Sequence, residues 1–283
     1  MNDEDRRVVL ITGASSGIGK ACANYLHQRG CRVYGTSRHV LSRTAEVPRT
    51  ERVHSAPFEM IQMDVDRDTS VTRGVGLVLE NEGRLDILVN SAGFGVAGSV
   101  EDTSIDEAWS QFETNFFGVL RTCRAVLPVM REQRYGYIVN IGSMAGLIGL
   151  PFQGLYSASK FALEGMTEAL RMEVRPFGIR VVLIEPGDFH TQFTAHRRKT
   201  LKSQQDSVYV EKFNAALGVV EADETNGPSP DRIARLLERI VNDPSPRVRY
   251  PIGPISERAA ITLKKVMPPR LFEWALMMYY KLL

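Results

Sequence analysis

The chain lacks any run of about 18 or more consecutive apolar residues, which argues against a membrane-spanning helix. Residues 1–7 are polar and acidic with no apolar core, so a secretory signal is not expected and a cytoplasmic location is. Cysteine is scarce. Cys22, Cys31 and Cys123 are odd in number and lack metal-ligand spacing. They read as reduced thiols in small core positions, with no disulfide framework and no metal site. An excess of charge is missing too: the formal net charge is +2 and the basic residues are scattered, which gives nucleic acid little to bind. Internal repeats and low-complexity tracts are absent. One absence is local: no Asp or Glu occurs between Asp5 and Glu46.

What is present fits an ordinary globular α/β protein. The 283 residues are 43% hydrophobic and 24% charged, which suits one large domain with a modest extension. Short apolar or β-branched runs occupy residues 8–11, 32–37, 60–65, 85–90, 137–141 and 180–184, each later run following a helix-length segment, with 247–250 as a seventh. Strands alternating with helices predict a parallel sheet covered on both faces. Residues 42–57 read as an irregular polar insertion between the second and third strands.

The first strand runs directly into Thr12-Gly13-Ala14-Ser15-Ser16-Gly17-Ile18-Gly19. Glycines at a strand-to-helix turn let backbone approach a pyrophosphate, and the helix N-terminus then favours its charge. Gly13, Gly17 and Gly19 follow G-x-x-x-G-x-G rather than the commoner G-x-G-x-x-G, and Ser15 and Ser16 add hydroxyls for phosphate or ribose oxygens. At the end of the second strand an NAD site usually carries an acid for the ribose 2′-hydroxyl. Here stand Ser37 and Arg38, and a guanidinium fork suits a 2′-phosphate, so NADP(H) is the expected cofactor. Further on, Tyr156 and Lys160 are spaced to share one helix face, thirteen residues after Ser143. A lysine there is expected to lower the phenol pKa from roughly 10 and ready it to exchange a proton with an alcohol or ketone oxygen.

Taken in order, these residues resemble the short-chain dehydrogenase/reductase family over residues 7–192, and within it are similar to hydroxysteroid- and retinol-dehydrogenase-like members. The turn matches the family's T-G-x-x-x-G-I-G. The resemblance implies a single Rossmann-type doubly wound domain over 1–253, followed by an apolar C-terminal extension over 254–283. It places Asp64 and Val65 against the adenine. Asn90-Ser91-Ala92-Gly93 looks like the family's N-N-A-G, departing at Ser91. Pro186-Gly187 and Thr191, with Phe189 between them, match P-G-x-x-x-T beside the nicotinamide. Asn115, Ser143, Tyr156 and Lys160 fall where the catalytic tetrad would be. The implied roles are Ser143 steadying the substrate oxygen, Tyr156 as general acid or base, Lys160 on the nicotinamide ribose, and Asn115 holding a water that links Lys160 to solvent. The expected activity is hydride transfer between NADP(H) and a carbonyl/alcohol pair. The alternatives are a non-catalytic NADP(H) sensor, which an intact tetrad disfavours, and an epimerase or dehydratase of the related long-chain group.

The segments expected around the nicotinamide are apolar: Phe94 and Val96, then residues 147–152. Segment 188–228 is too long for a simple connection, carries four aromatics and reads as an active-site lid. A hydrophobic, steroid-, retinoid- or lipid-like substrate follows. Asp188 and His190 read as structural or solvent-facing. The tail is dense in large apolar side chains. Capping the pocket or docking on another subunit ranks ahead of lying at a membrane surface behind Lys264, Lys265 and Arg270. By resemblance, helices over 108–130 and 155–174 would pair subunits into a homodimer or homotetramer.

Overall fold

Alternate residues of β1 (Val8–Ile11) are buried on opposite faces of one sheet, the period-2 consequence of the pleat. The computed structural model describes residues 6–38, 56–205 and 207–283. After β1 come α1 (Gly17–Gln28), β2 (Arg32–Ser37), β3 (Glu59–Gln62), α2 (Asp68–Glu82), β4 (Ile87–Asn90) and the short β5 (Val96–Ala97). Next are α3 (Ile105–Phe112), a π-helical turn (Glu113–Phe117), α4 (Gly118–Gln133), β6 (Gly136–Ile141), α5 (Gly154–Val174) and β7 (Ile179–Pro186). The remainder is α6 (Phe193–His196), β8 (Arg198–Lys199), α7 (Leu201–Gln205), α8 (Val210–Asn226), α9 (Asp231–Asn242), β9 (Arg249–Ile252), α10 (Ile255–Val266) and α11 (Pro269–Tyr279).

The 7-stranded sheet has the order β3-β2-β1-β4-β6-β7-β9, and its neighbouring strands all pair in parallel. Such a sheet needs cover on both faces, and the sequence supplies two cores. Val8, Leu10, Leu88, Ile138 and Leu183 pack with Val75 of α2, Val126 of α4 and Leu163 of α5. Val9, Ile11, Val89, Val139 and Ile184 point the other way, onto Leu26 of α1 and Leu237 of α9. The direction of winding reverses between β1 and β4, which opens a crevice at the carboxyl ends of those strands. The doubly wound parallel architecture expected from the sequence is therefore the one observed.

Several boundaries differ from expectation. The third strand stops at Gln62, and residues 63–65 leave the sheet edge. The last strand begins at Arg249, because β7 continues to Pro186 and its partner register runs from Leu183↔Arg249 to Pro186↔Ile252. The expected helix over 108–130 is interrupted by the π turn. The 188–228 segment is mostly helical, in α6, α7 and α8, rather than an open loop. Most of the 42–57 insertion lies outside the described residues.

Candidate active site

At the switch point, the turn after β1 is pinned by one side chain. Thr12 Oγ1 accepts hydrogen bonds from the amides of Ser91 (2.9 Å) and Ala92 (3.0 Å), tying the turn to the end of β4. Gly13 takes φ +67°, where a side chain would be strained, and a Cβ there would lie 2.8 Å from Ala92 Cα. A Cβ on Gly19 would meet Gly13 O at 2.4 Å, so the first turn of α1 packs directly on the glycine bend. Ser16 occupies the N-cap without a side-chain cap bond, leaving the first amides of α1 facing a cavity of ≈ 900 Å³.

That cavity runs from the glycine turn past the ends of the strands to the C-terminal helices. Of the residues expected from the sequence to hold cofactor or to catalyse, all but Asp64 and Asn90 line it. Asn90 is buried behind it, where Nδ2 donates to Asn140 Oδ1 (2.9 Å) and Oδ1 accepts from Thr122 (2.7 Å). Asp64 turns to Arg67 at 3.6 Å and to the Asp66 amide at 3.2 Å. Both side chains brace the strand ends, leaving Met63, Val65 and Ala92 to form the wall. Ser37 and Arg38 stand at the mouth, with Arg38 exposed.

The tetrad residues converge on the same space. Asn115 lies in the π turn, a distortion common at functional sites. Its Oδ1 accepts from the Phe94 amide (3.1 Å), and Nδ2 donates to Phe94 O (3.0 Å) and Ser159 Oγ (3.3 Å). Both Nδ2 hydrogens are thus engaged, so the carboxamide braces the Phe94 loop. Ser143 lies two residues beyond β6 and caps the next turn, its Oγ accepting from the Ala145 amide at 3.1 Å. Lys160 Nζ donates to Ile141 O (2.9 Å) and sits 5.9 Å from the Tyr156 ring centre.

The electrostatics overturn the expected acidic phenol. Burial pushes Tyr156 up to about 12, against a smaller opposing pull from the Ser143 hydroxyl. Burial also pulls Lys160 down to about 8, partly offset by the charge of Glu164. Desolvation acts on both groups, and the lysine's hydrogen bond goes to a backbone carbonyl rather than to the phenol.

Phe193 of α6, one of the four aromatics of the expected lid, lies 5.7 Å from the Tyr156 ring centre, and further site residues escaped the sequence reading. Arg197 and Glu224 form a buried ion pair beyond it, and Thr194 Oγ1 donates to Glu224 Oε2 at 2.5 Å. Asp188 lines the cavity, contrary to expectation. Burial, with the neighbouring Glu257 carboxylate, raises it to about 8, while Glu257 Oε2 accepts from the Asp188 amide at 3.0 Å. His190, by contrast, is exposed and bonds Thr225 O. Behind Lys160, Arg249 bridges Glu164 (2.8 Å) and Glu185 (3.2 Å). Only the Lys160–Glu164 spacing of four could have flagged that cluster. Phe272, Leu276 and Tyr280 from the tail close the far end of the cavity.

This fold and this site define a nucleotide-dependent oxidoreductase, and comparison with known proteins agrees. Residues 7–202 match the family model for short chain dehydrogenase, and the chain belongs to that family. It is similar to the 3-ketodihydrosphingosine reductase of Bacteroides thetaiotaomicron, with 40% identity over 97% of this chain and 98% of the relative. A solved short-chain dehydrogenase from Streptomyces avermitilis superposes with a TM-score of 0.79 at 32% identity, covering 96% of this chain and 97% of the other. A short chain dehydrogenase/reductase from Burkholderia phymatum, solved in complex with NAD, gives 0.77 at 26% identity over 94% and 95%. Among the described residues no group of His, Cys, Asp and Glu is arranged to hold a metal ion.

Proposed function

We propose that the enzyme reduces the carbonyl of a long-chain, lipid-like substrate with NADPH, using Tyr156 as the proton donor. The observation that carries this reading is one cavity with a glycine cradle at one end, a buried phenol at its middle and apolar walls beyond. The cradle fits a dinucleotide: Gly13 and Gly19 leave no Cβ in the way, and the uncapped amides of α1 offer donors to a pyrophosphate. Arg38 at the mouth, with no acid at the end of β2, favours a 2′-phosphate over a bare ribose.

When bound, NADPH supplies the hydride for the carbonyl carbon. The protein's side chains do the rest. With its pKa near 12, Tyr156 is protonated at neutral pH and is the stronger acid when an alkoxide develops on the substrate. Ser143 orients the substrate oxygen toward that phenol. Lys160 remains mostly charged at neutral pH with a pKa of about 8, holds the nicotinamide ribose and helps return a proton to the tyrosine. Asn115 acts by positioning the Phe94 loop.

Ile148, Leu150, Val220 and Leu263 give the substrate end an apolar lining, while Asp188, Glu224 and Glu257 make one part of its wall acidic. The apolar lining suits a ketone on a long aliphatic chain, and the similarity to the 3-ketodihydrosphingosine reductase supports the same class. Trp109 at 58% exposure, Phe161 at 42% and Met172 at 70% lie on α3 and α5, which supports pairing of subunits there as a homodimer or homotetramer.

A panel of long-chain aliphatic, steroid, retinoid and small aromatic carbonyls, followed by NADPH oxidation, tests the reading. Turnover of the first class above the others is expected. Arg38→Ala should weaken NADPH by more than about tenfold relative to NADH. A wild-type preference for NADH would overturn the cofactor assignment.

A further inference from the structure

The C-terminal helices have a second face that catalysis does not use. On α11, Phe272, Leu276 and Tyr280 turn inward to the cavity, and the opposite face presents Leu271 (48% exposed), Trp274 (53%) and Met278 (54%). These three stand at i, i+3 and i+7, so they form a single stripe. On α10, Glu257 and Ala260 face the cavity, while Ile255 (82%) and Val266 (73%) are exposed at the two ends of the outward face, which Arg258 and Lys265 flank. Singly exposed apolar residues are ordinary, but a helix that covers a cavity with one face and turns a stripe of Leu, Trp and Met outward with the other is not.

Charge selects the occupant. Residues 254–283 contain Arg258, Lys264, Lys265, Arg270 and Lys281 against two acids, Glu257 and Glu273; Glu257 is turned in toward Asp188 and Lys264 toward the Leu147 carbonyl, which leaves four basic residues against one acid. The exposed surface is therefore apolar and cationic together, the pattern that draws a helix into the headgroup region of an anionic bilayer. Among the described residues no helix is long and apolar enough to cross a membrane, so the contact lies in the interfacial plane.

We propose that the outer faces of α10 and α11 dock on an anionic lipid bilayer, setting the cavity they cover against the surface that holds its substrate. The docking itself is independent of the substrate reading; only its purpose rests on that reading.

Co-sedimentation of the full chain tests this with phosphatidylcholine vesicles, alone or containing phosphatidylglycerol. Wild type is expected to sediment with the anionic vesicles and to stay largely in solution with the neutral ones. Lys265→Glu with Arg270→Glu, and separately Leu271→Glu with Trp274→Glu, should each weaken binding by more than about tenfold. Both double variants should keep wild-type melting and NADPH binding, since none of these four residues lines the cavity. Fluorescence supplies a reading that needs no destabilising change: the chain has two tryptophans, so Trp109→Phe leaves Trp274 as the reporter. Its emission should shift to the blue on adding anionic vesicles. Wild type remaining in the supernatant with both vesicle types, variants binding as tightly as wild type, an unmoved emission, or an oligomer that dissociates in the variants would each overturn the proposal. The vesicles carry no substrate and turnover is not read, so these results are separate from a failure of the substrate reading.

Discussion

Replacing Asn115 by Ala removes the clamp that holds the Phe94 loop at the cavity wall. The Phe94 carbonyl keeps a partner, because Gln111 Nε2 donates to it at 2.8 Å. The Phe94 amide does not, since its acceptor is Asn115 Oδ1 at 3.1 Å and the residue is 6% exposed. An orphaned buried N–H costs about 1–3 kcal/mol. For a chain of this size each kcal/mol moves Tm by about 2–4 °C, so melting should fall by about 2–12 °C. Gly93 and Phe94 line the cavity, and a loosened wall should lower turnover by more than about tenfold through misplacement of the reactants. NADPH affinity should change little, because the glycine cradle is held separately through Thr12. Thermal melting, NADPH titration and saturated turnover on one preparation measure all three. Unchanged melting would refute the packing argument, and wild-type turnover would remove Asn115 from the working site.

Two further perturbations probe the cradle and the acidic wall. Gly19→Ala places a Cβ 2.4 Å from a backbone oxygen, which cannot swing aside as a side chain can, so the turn must shift by about 1 Å to restore normal contact. Equilibrium titration should show NADPH binding weakened by more than about tenfold, and wild-type affinity would contradict the cradle's geometry. Asp188 is raised from 3.8 to about 8, so between those values the folded state keeps a proton that the unfolded chain has released. The folded state then binds more protons, and this group's contribution to stability falls as pH rises toward 8. Asp188→Asn should therefore lose less stability than wild type between pH values of roughly 5 and 8 in urea unfolding of the cofactor-free enzyme; an identical slope would show that Asp188 is not held protonated.

The sheet was legible because its strands are buried on both faces and read as apolar runs that end in recognisable turns. The glycine turn, Ser143, Tyr156 and Lys160 were legible because a dinucleotide cradle and a proton-transfer pair depend on local spacing. Strand ends were less so: residues 63–65 are as apolar as those before them, but β2, their partner, ends at Ser37. Long-range partners left no local mark. Asp188 looked like a loop acid because Glu257, sixty-nine residues later, is what crowds it. Asn90 matched a motif position, yet a tertiary partner, Asn140, claims its side chain, whereas the partners of Asp64 are local, Arg67 and the Asp66 amide. The phenol's acidity was misjudged for a different reason: spacing reveals that a lysine is near, and burial, which here raises the phenol, depends on the whole fold. In the tail, the i, i+4, i+8 spacing of Phe272, Leu276 and Tyr280 already carried the inward face, and only the fold could say what it meets.

The central claim is that one buried phenol delivers the proton. Tyr156→Phe keeps the ring and its packing on Phe193 while deleting the hydroxyl, so the direct measurement is carbonyl reduction by this variant at saturating NADPH. A loss of about 10²–10⁴-fold in turnover, with NADPH affinity and melting close to wild type, is the expected result. Turnover equal to wild type would contradict it.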